Sequence, residues 1–173
     1  MKTIALNDGR QCFVAIREQK TYTVTLMMPK LRQEIVCLGE FMNPPFSLRR
    51  RQGWNPEGYA DKLIEKADIL VETDENGRII GLIAGYLNQE ELGFISMLIV
   101  DPKYRRLGVA EILCCRIHQL AKVRGILRMQ GEIRESNRAC QMLARKLGYH
   151  KLKENNRWEL LLDDTLEVPI MGR

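Results

Sequence analysis

The chain has 173 residues, long enough to bury a continuous core and short enough that one domain is expected. Hydrophobic residues make up 45% and charged residues 28%, an ordinary balance for a soluble globular protein, and no apolar run approaches the roughly 20 residues of a membrane span. The net charge of +5, from 27 basic and 22 acidic residues, is dispersed apart from Arg49-Arg50-Arg51; it suits an anionic cofactor or acceptor better than nucleic acid or a membrane. The apolar segment of MKTIALNDGR is too short for a signal peptide, and five cysteines without a CxxC pair fit a reducing compartment, so a cytoplasmic protein is expected. His118 and His150 are the two histidines, and neither has a ligand-spaced partner, so no metal site is expected.

In chain order, residues 3–28 read as short strands. Asn7-Asp8-Gly9 is a turn signal, and Cys12 to Ile16 and Tyr22 to Met27 are rich in β-formers. Pro29 can open a helix with Leu31, Ile35 and Leu38 on one face through Phe41. Asn43-Pro44-Pro45-Phe46 breaks the chain, which then reads as irregular to Tyr59, with a second short helix from Glu57 to about Ala67. Ile69–Thr73 and Arg78–Leu87 are strands joined by the hairpin signal Asp74-Glu75-Asn76-Gly77. Gly81 and Gly85 inside the second strand predict a bulge or a close neighbour.

A further strand, Phe94 to Val100, ends at Asp101-Pro102. The helix that follows has Val109, Ile112, Leu113, Ile117 and Leu120 on one face and stops at Gly125. Leu127 to Ile133 is a strand, and Ser136 or Asn137 caps a helix ending at Gly148. Tyr149–Lys153 and Arg157–Leu162 form a last hairpin around Asn155-Asn156, and residues 163–173 read as a tail. The fold class is α/β, one domain with a mixed, mostly antiparallel sheet.

The strand, glycine loop and helix start at Phe94–Ala110 make a site for anions. The first amides of a helix lack internal partners and its dipole favours negative charge there. Gly108 lets a ligand approach the main chain, Ala110 adds little bulk, and Arg105 and Arg106 add forked donors. This is a pyrophosphate cradle with neither the P-loop pattern nor GxGxxG; a plain helix start with solvated arginines is the alternative.

Arg105-x-x-Gly108-x-Ala110, following Val100-Asp101-Pro102-Lys103-Tyr104-Arg105, resembles the Q/R-x-x-G-x-G/A signature of the GNAT acetyltransferase family. Asn137-Arg138-Ala139-Cys140-Gln141-Met142-Leu143-Ala144-Arg145-Lys146-Leu147-Gly148-Tyr149 is similar to the family's N-x-x-A-x-x-L-Y-E-K-x-G-F/Y segment. The resemblance covers Ile69 to about Leu162. It implies an acyl-CoA N-acyltransferase fold with 69–162 as the acetyl-CoA core, 1–68 as acceptor-side helices plus extra strands, and acetyl-CoA (coenzyme A) as cofactor.

By that resemblance, amides of Arg106, Leu107, Gly108, Val109 and Ala110 hold the pyrophosphate, while main-chain groups of Leu98, Ile99 and Val100 pair with the pantetheine arm as an added strand would. An N–H of Leu98 or Ile99 could serve the oxyanion, and Asn137 contacts the cofactor or only caps its helix. The family's acidic tyrosine is replaced by Ala144. Tyr149 is then a candidate acid or a packing aromatic, and Glu132 a candidate base or an exposed strand carboxylate. Cys114, Cys115 and Cys140 read as small apolar fillers rather than nucleophiles. The acceptor is a small-molecule amine taken by direct attack, recognised around Phe46, Ser47 and Arg49; resemblance of residues 43–67 to bacterial relatives suggests an amino sugar. A catalytically degenerate acyl-CoA sensor is the rival reading, and a homodimer is left open.

Overall fold

The computed structural model describes residues 2–5, 11–14, 22–153 and 156–162. Its elements, in order, are β1 (Lys2–Ala5), β2 (Gln11–Val14), α1 (Tyr22–Gly39), α2 (Phe46–Arg51), α3 (Pro56–Lys66), β3 (Asp68–Thr73), β4 (Ile79–Tyr86) and β5 (Leu92–Val100). A 3-10 turn at Pro102–Tyr104 leads to α4 (Val109–Val123), followed by β6 (Arg128–Glu132), α5 (Arg138–Lys146), β7 (His150–Lys151) and β8 (Arg157–Leu161). The strands form one eight-stranded sheet in the order β1-β2-β3-β4-β5-β6-β8-β7. Every pairing is antiparallel except β5 with β6. That one parallel pair requires a crossover, and α4 supplies it.

Helices cover both faces of the sheet. Alternate residues of the central strands go to opposite cores: Leu70, Ile83 and Val100 join Leu113 and Ile117 of α4. Ile69, Val71, Leu82, Met97 and Ile99 join Ile35 of α1, Phe46 of α2 and Leu63 of α3. Burial on both faces explains why β3 and β4 read as continuous apolar runs rather than as alternating ones.

Two features of β4 fix α4. A Cβ at Gly81 would lie 2.8 Å from Val109 Cγ1, and one at Gly85 would lie 2.7 Å from Ile117 Cδ1. The helix thus rests directly on main chain at both points, as the two glycines predicted. The predicted bulge is also present: Ala84 pairs with Met97 and Gly85 with Ile95, which leaves Ser96 as the extra residue of β5. Buried ion pairs brace the same layer, Glu72 with Arg116 and Asp68 with Arg124, the latter through two contacts of 2.5 and 2.8 Å.

Three local expectations are corrected. Tyr22–Met27 is helix rather than strand, and Pro29 lies within α1 instead of opening it. The helix disfavours such residues by only tenths of a kcal/mol, about 0.7 at most, and propagation is easy once Ile35 and Leu38 are docked. The segment after Pro45 is not irregular: α2 forms there, with the Pro45 carbonyl accepting from Arg49 N at 3.1 Å and Phe46 fully buried. Such a short helix carries too little periodicity to be read. Asn7-Asp8-Gly9, Asn155 and the tail lie outside the described residues.

Candidate active site

Below the bulge, β5 and β6 part. Their pairing ends at Ile95–Gly131, because β6 stops at Glu132 and Ile133 N–H turns to the Asn156 carbonyl at 2.8 Å. From Met97 to Val100, β5 is paired with β4 alone. A cavity of about 140 Å³ fills the gap. Its walls are β5 at Ser96–Leu98, β6 at Gly131 and Glu132, and α5 at Cys140 and Ala144. The free edge of β5 offers main-chain donors and acceptors to an extended guest. Among the described residues, the buried indole Nε1 of Trp158, a residue of the same wall, has no hydrogen-bond partner.

The bulged residue is held from the opposite face. Tyr59 of α3 places its hydroxyl 3.2 Å from the Ser96 carbonyl and 3.0 Å from Ser96 Oγ. Tyr59 packs on Trp54 at 5.2 Å between ring centroids, and Trp54 on Phe46 at 4.8 Å. Helices α2 and α3 therefore touch the cleft wall through a chain of rings.

Where β5 ends, the main chain turns into an anion-binding shape. Asp101 is buried and accepts from Lys103 N and from Arg78 Nη2, which locks the corner after Val100. Arg106 has φ 65° and Gly108 φ 82°, both left-handed. Successive amides near such residues converge into a nest. Ile112 N–H, bonded to the Gly108 carbonyl at 3.0 Å, begins the helical ladder, and the amides before it have no intrahelical partner. Holding a non-glycine residue at Arg106 in this region costs about 1–2 kcal/mol, a local strain of the kind that gathers at functional sites.

The predicted site residues fall into groups. Leu98, Glu132 and Tyr149 all line the cleft. Ile99 and Val100 bury their side chains in the two cores, so they can offer main chain alone. Arg105 is exposed but turned back on its own chain. Its guanidinium donates to the Val100 carbonyl at 3.1 Å and to the Phe41 carbonyl at 3.2 Å, tying the end of β5 to the loop after α1. Arg106 and Leu107 are exposed, while Val109 is buried. Asn137 caps α5 by accepting from Cys140 N at 3.2 Å. Phe46 is enclosed (0% exposed) in the core beneath α1 to α3 and does not line the cavity. Ser47 is exposed, with its N–H donating to Glu40 Oε2, and Arg49 sits over Trp54.

Tyr149 reaches the position beside Ala144 because its N–H bonds to the Ala144 carbonyl at 2.9 Å. Its hydroxyl meets His118 Nε2 at 2.7 Å. Burial holds His118 neutral, with a pKa lowered to about 4, and pushes the Tyr149 phenol well above its usual range. Burial also raises the thiols of Cys114, Cys115 and Cys140, which leaves them protonated and poor nucleophiles. Sequence reasoning missed the His118–Tyr149 pair and the Tyr59–Ser96 latch. Both join residues far apart in the chain, and neither has a local pattern.

The sequence matches the family model described as "Acetyltransferase (GNAT) family" over residues 37–149. The chain belongs to the GNAT acetyltransferase family. It is an acetyltransferase, and its α/β fold is the GNAT fold. Tetrahymena GCN5 superposes with a TM-score of 0.62 at 12% identity, covering 88% of this chain and 96% of that one. The ribosomal-protein-S18-alanine N-acetyltransferase from Escherichia coli gives 0.62 at 18% identity, covering 88% and 94%. A putative streptothricin acetyltransferase from Bacillus anthracis, crystallised with acetyl coenzyme A, gives 0.50 at 23% identity over 56% of this chain and 62% of that one. No curated protein sequence matches the chain. Among the described residues, no helix is long and apolar enough to cross a membrane.

Proposed function

We propose that this GNAT chain binds acetyl-CoA in the cleft between β5 and β6 and transfers its acetyl group to the amine of a small molecule. One observation carries the reading: the edge of β5 freed below the Ser96 bulge leads straight into the left-handed turn at the start of α4. An extended, amide-bearing arm fits the first part and a diphosphate fits the second. When bound, acetyl-CoA supplies the acetyl group as a thioester.

The chain's own residues divide the remaining work. Amides of Arg106, Leu107, Gly108, Val109 and Ala110 hold the diphosphate, and the exposed Arg106 adds charge. The main chain at Leu98 to Val100 orients the arm, and Asn137 borders it from α5. Glu132, exposed at the end of β6, takes the proton of the acceptor ammonium, directly or through water. Tyr149 stands beside Ala144 and offers its O–H to the departing sulfur, with His118 fixing the hydroxyl.

The test has two stages. Acetyl-CoA at a hundred times its Kd should stabilise the fold by about 2.7 kcal/mol, a Tm rise of about 5–10 °C for a chain of this length. Thiol release is then followed across a panel of amines that includes amino sugars, the acceptor class suggested by residues 43–67. Stabilisation with turnover of at least one amine is expected; no stabilisation by acetyl-CoA rejects the reading.

A further inference from the structure

We infer that the acceptor carries an anionic group, carboxylate or phosphate, near its amine, and that Arg49 and Arg134 together grip that group beside the cleft. This rests on the cleft being the acetyl-transfer site, as proposed above.

The Arg49-Arg50-Arg51 run is resolved by the fold into different jobs. Arg50 is spent on Glu57 at 2.5 Å. Arg49 instead lies with its guanidinium carbon 5.3 Å from the centroid of the Trp54 ring. Trp54 packs on Tyr59, and Tyr59 is latched to Ser96 in the cleft wall. Arg49 is therefore a positioned cation on an aromatic stack that ends at Ser96 of the cleft wall. Stacking on an aromatic face leaves the edge of a guanidinium free for bidentate work.

The second cation comes from the other wall. Glu132 and Ile133 line the cleft, and Arg134 follows them. Its backbone is pinned, since Gln141 Nε2 donates to the Arg134 carbonyl at 3.2 Å. Among the described residues neither Arg49 nor Arg134 makes an ion pair. They are near enough that Arg134, after burial, helps lower the pKa of Arg49. Two guanidiniums within each other's field and without a paired carboxylate among the described residues are unfavourable, and an anion bound by both removes that cost.

Glu132 completes the pattern. Its carboxylate is exposed in the cleft wall and makes no ion pair among the described residues. A negative group for the ammonium and two positive ones for an anion select an acceptor with both charges, such as an amino acid or a phosphorylated amino sugar.

The experiment compares matched amines with the full chain: alanine against alaninamide, and glucosamine 6-phosphate against glucosamine. Two readouts are taken, kcat/KM from thiol release with acetyl-CoA and the Tm of the CoA-loaded protein, which reports acceptor binding without turnover. The anionic member of at least one pair is expected to be preferred about tenfold or more, the size of a charge-assisted hydrogen bond. The pair that discriminates identifies carboxylate or phosphate as the recognised group. In Arg49→Gln and Arg134→Gln, each checked for an unchanged Tm without ligand, the anionic-to-neutral ratio should fall toward one. Equal or better handling of both neutral members by the wild-type protein, no binding of either anionic member, or a ratio that survives both substitutions overturns the inference. If acetyl-CoA stabilises the protein and charge makes no difference, the cleft reading stands and the acceptor inference alone falls. Failure of acetyl-CoA to stabilise removes both.

Discussion

Gly81→Ala tests how the sheet positions the anion turn without touching the turn itself. The new Cβ would lie 2.8 Å from Val109 Cγ1 and 3.2 Å from Leu113 Cδ1. Val109 is the first residue of α4, and its β-branched side chain is stiff at χ1. Relief must come from lifting the start of the helix, which also carries the free amides away from the end of β5. Overpacking costs about 1–3 kcal/mol, offset by about 0.4–1 kcal/mol from the less flexible unfolded chain. The net loss is about 0.5–2 kcal/mol, or a Tm lower by about 1–8 °C at this chain length. Gly85→Ala is the control. Its Cβ would meet Ile117 Cδ1 at 2.7 Å, but that is the tip of a side chain with a second torsion to turn. Tm by circular dichroism and acetyl-CoA affinity by calorimetry are measured for both variants. Gly81→Ala should lose stability and several-fold in affinity, with Gly85→Ala close to wild type in both. Identical behaviour of the two would refute the idea that close packing at Gly81 sets the cradle.

Three further outcomes are expected. His118 is buried and neutral, with its folded pKa lowered to about 4. Its contribution is therefore full above the unfolded value of about 6.5 and is lost as pH falls toward about 4, a change of about 3 kcal/mol. His118→Gln, which can still bond Tyr149, should lose less stability between pH 7 and pH 4 by that amount in urea titrations; parallel decline of the two proteins contradicts a buried neutral imidazole. Glu72→Gln leaves Arg116 facing a neutral amide in the layer between β3 and α4. It should cost about 3–5 kcal/mol, read as a lower Tm, and an unaltered Tm would show the pair to be idle. Glu132→Gln should cut kcat about a hundredfold or more with acetyl-CoA affinity unchanged, whereas Tyr149→Phe separates a proton donor (kcat falls) from a packing ring (kcat holds).

What the sequence disclosed was local. The hairpin at Asp74–Gly77, the start of α4 at Val109 and the stop at Gly125 follow from turn chemistry and periodicity, and the structure has them there. Gly81 and Gly85 were legible because a glycine inside an apolar strand needs a neighbour to explain it, and α4 is that neighbour. The strand end, glycine turn and helix start were legible because they are contiguous from Val100 to Ala110. The wall opposite was not. Phe46 reads like a pocket residue but is enclosed by Trp54 and Tyr59, and Arg105 reads like a phosphate ligand but binds two carbonyls of its own chain. His118 and Tyr59 take their meaning from Tyr149 and Ser96, partners far along the chain, which periodicity does not reveal. Tyr22–Met27 shows the weakness of propensity alone, since β-formers there continue a helix docked by Ile35 and Leu38.

The most direct test of the central claim is calorimetric titration of acetyl-CoA into the wild-type protein and Gly108→Glu. A carboxylate at φ 82° both strains the turn and sets a negative charge among the amides meant for the diphosphate. The account predicts saturable binding to the wild type and no measurable heat with a Gly108→Glu protein that is still folded by circular dichroism. Equal affinity for both, or no binding to the wild type, would contradict it.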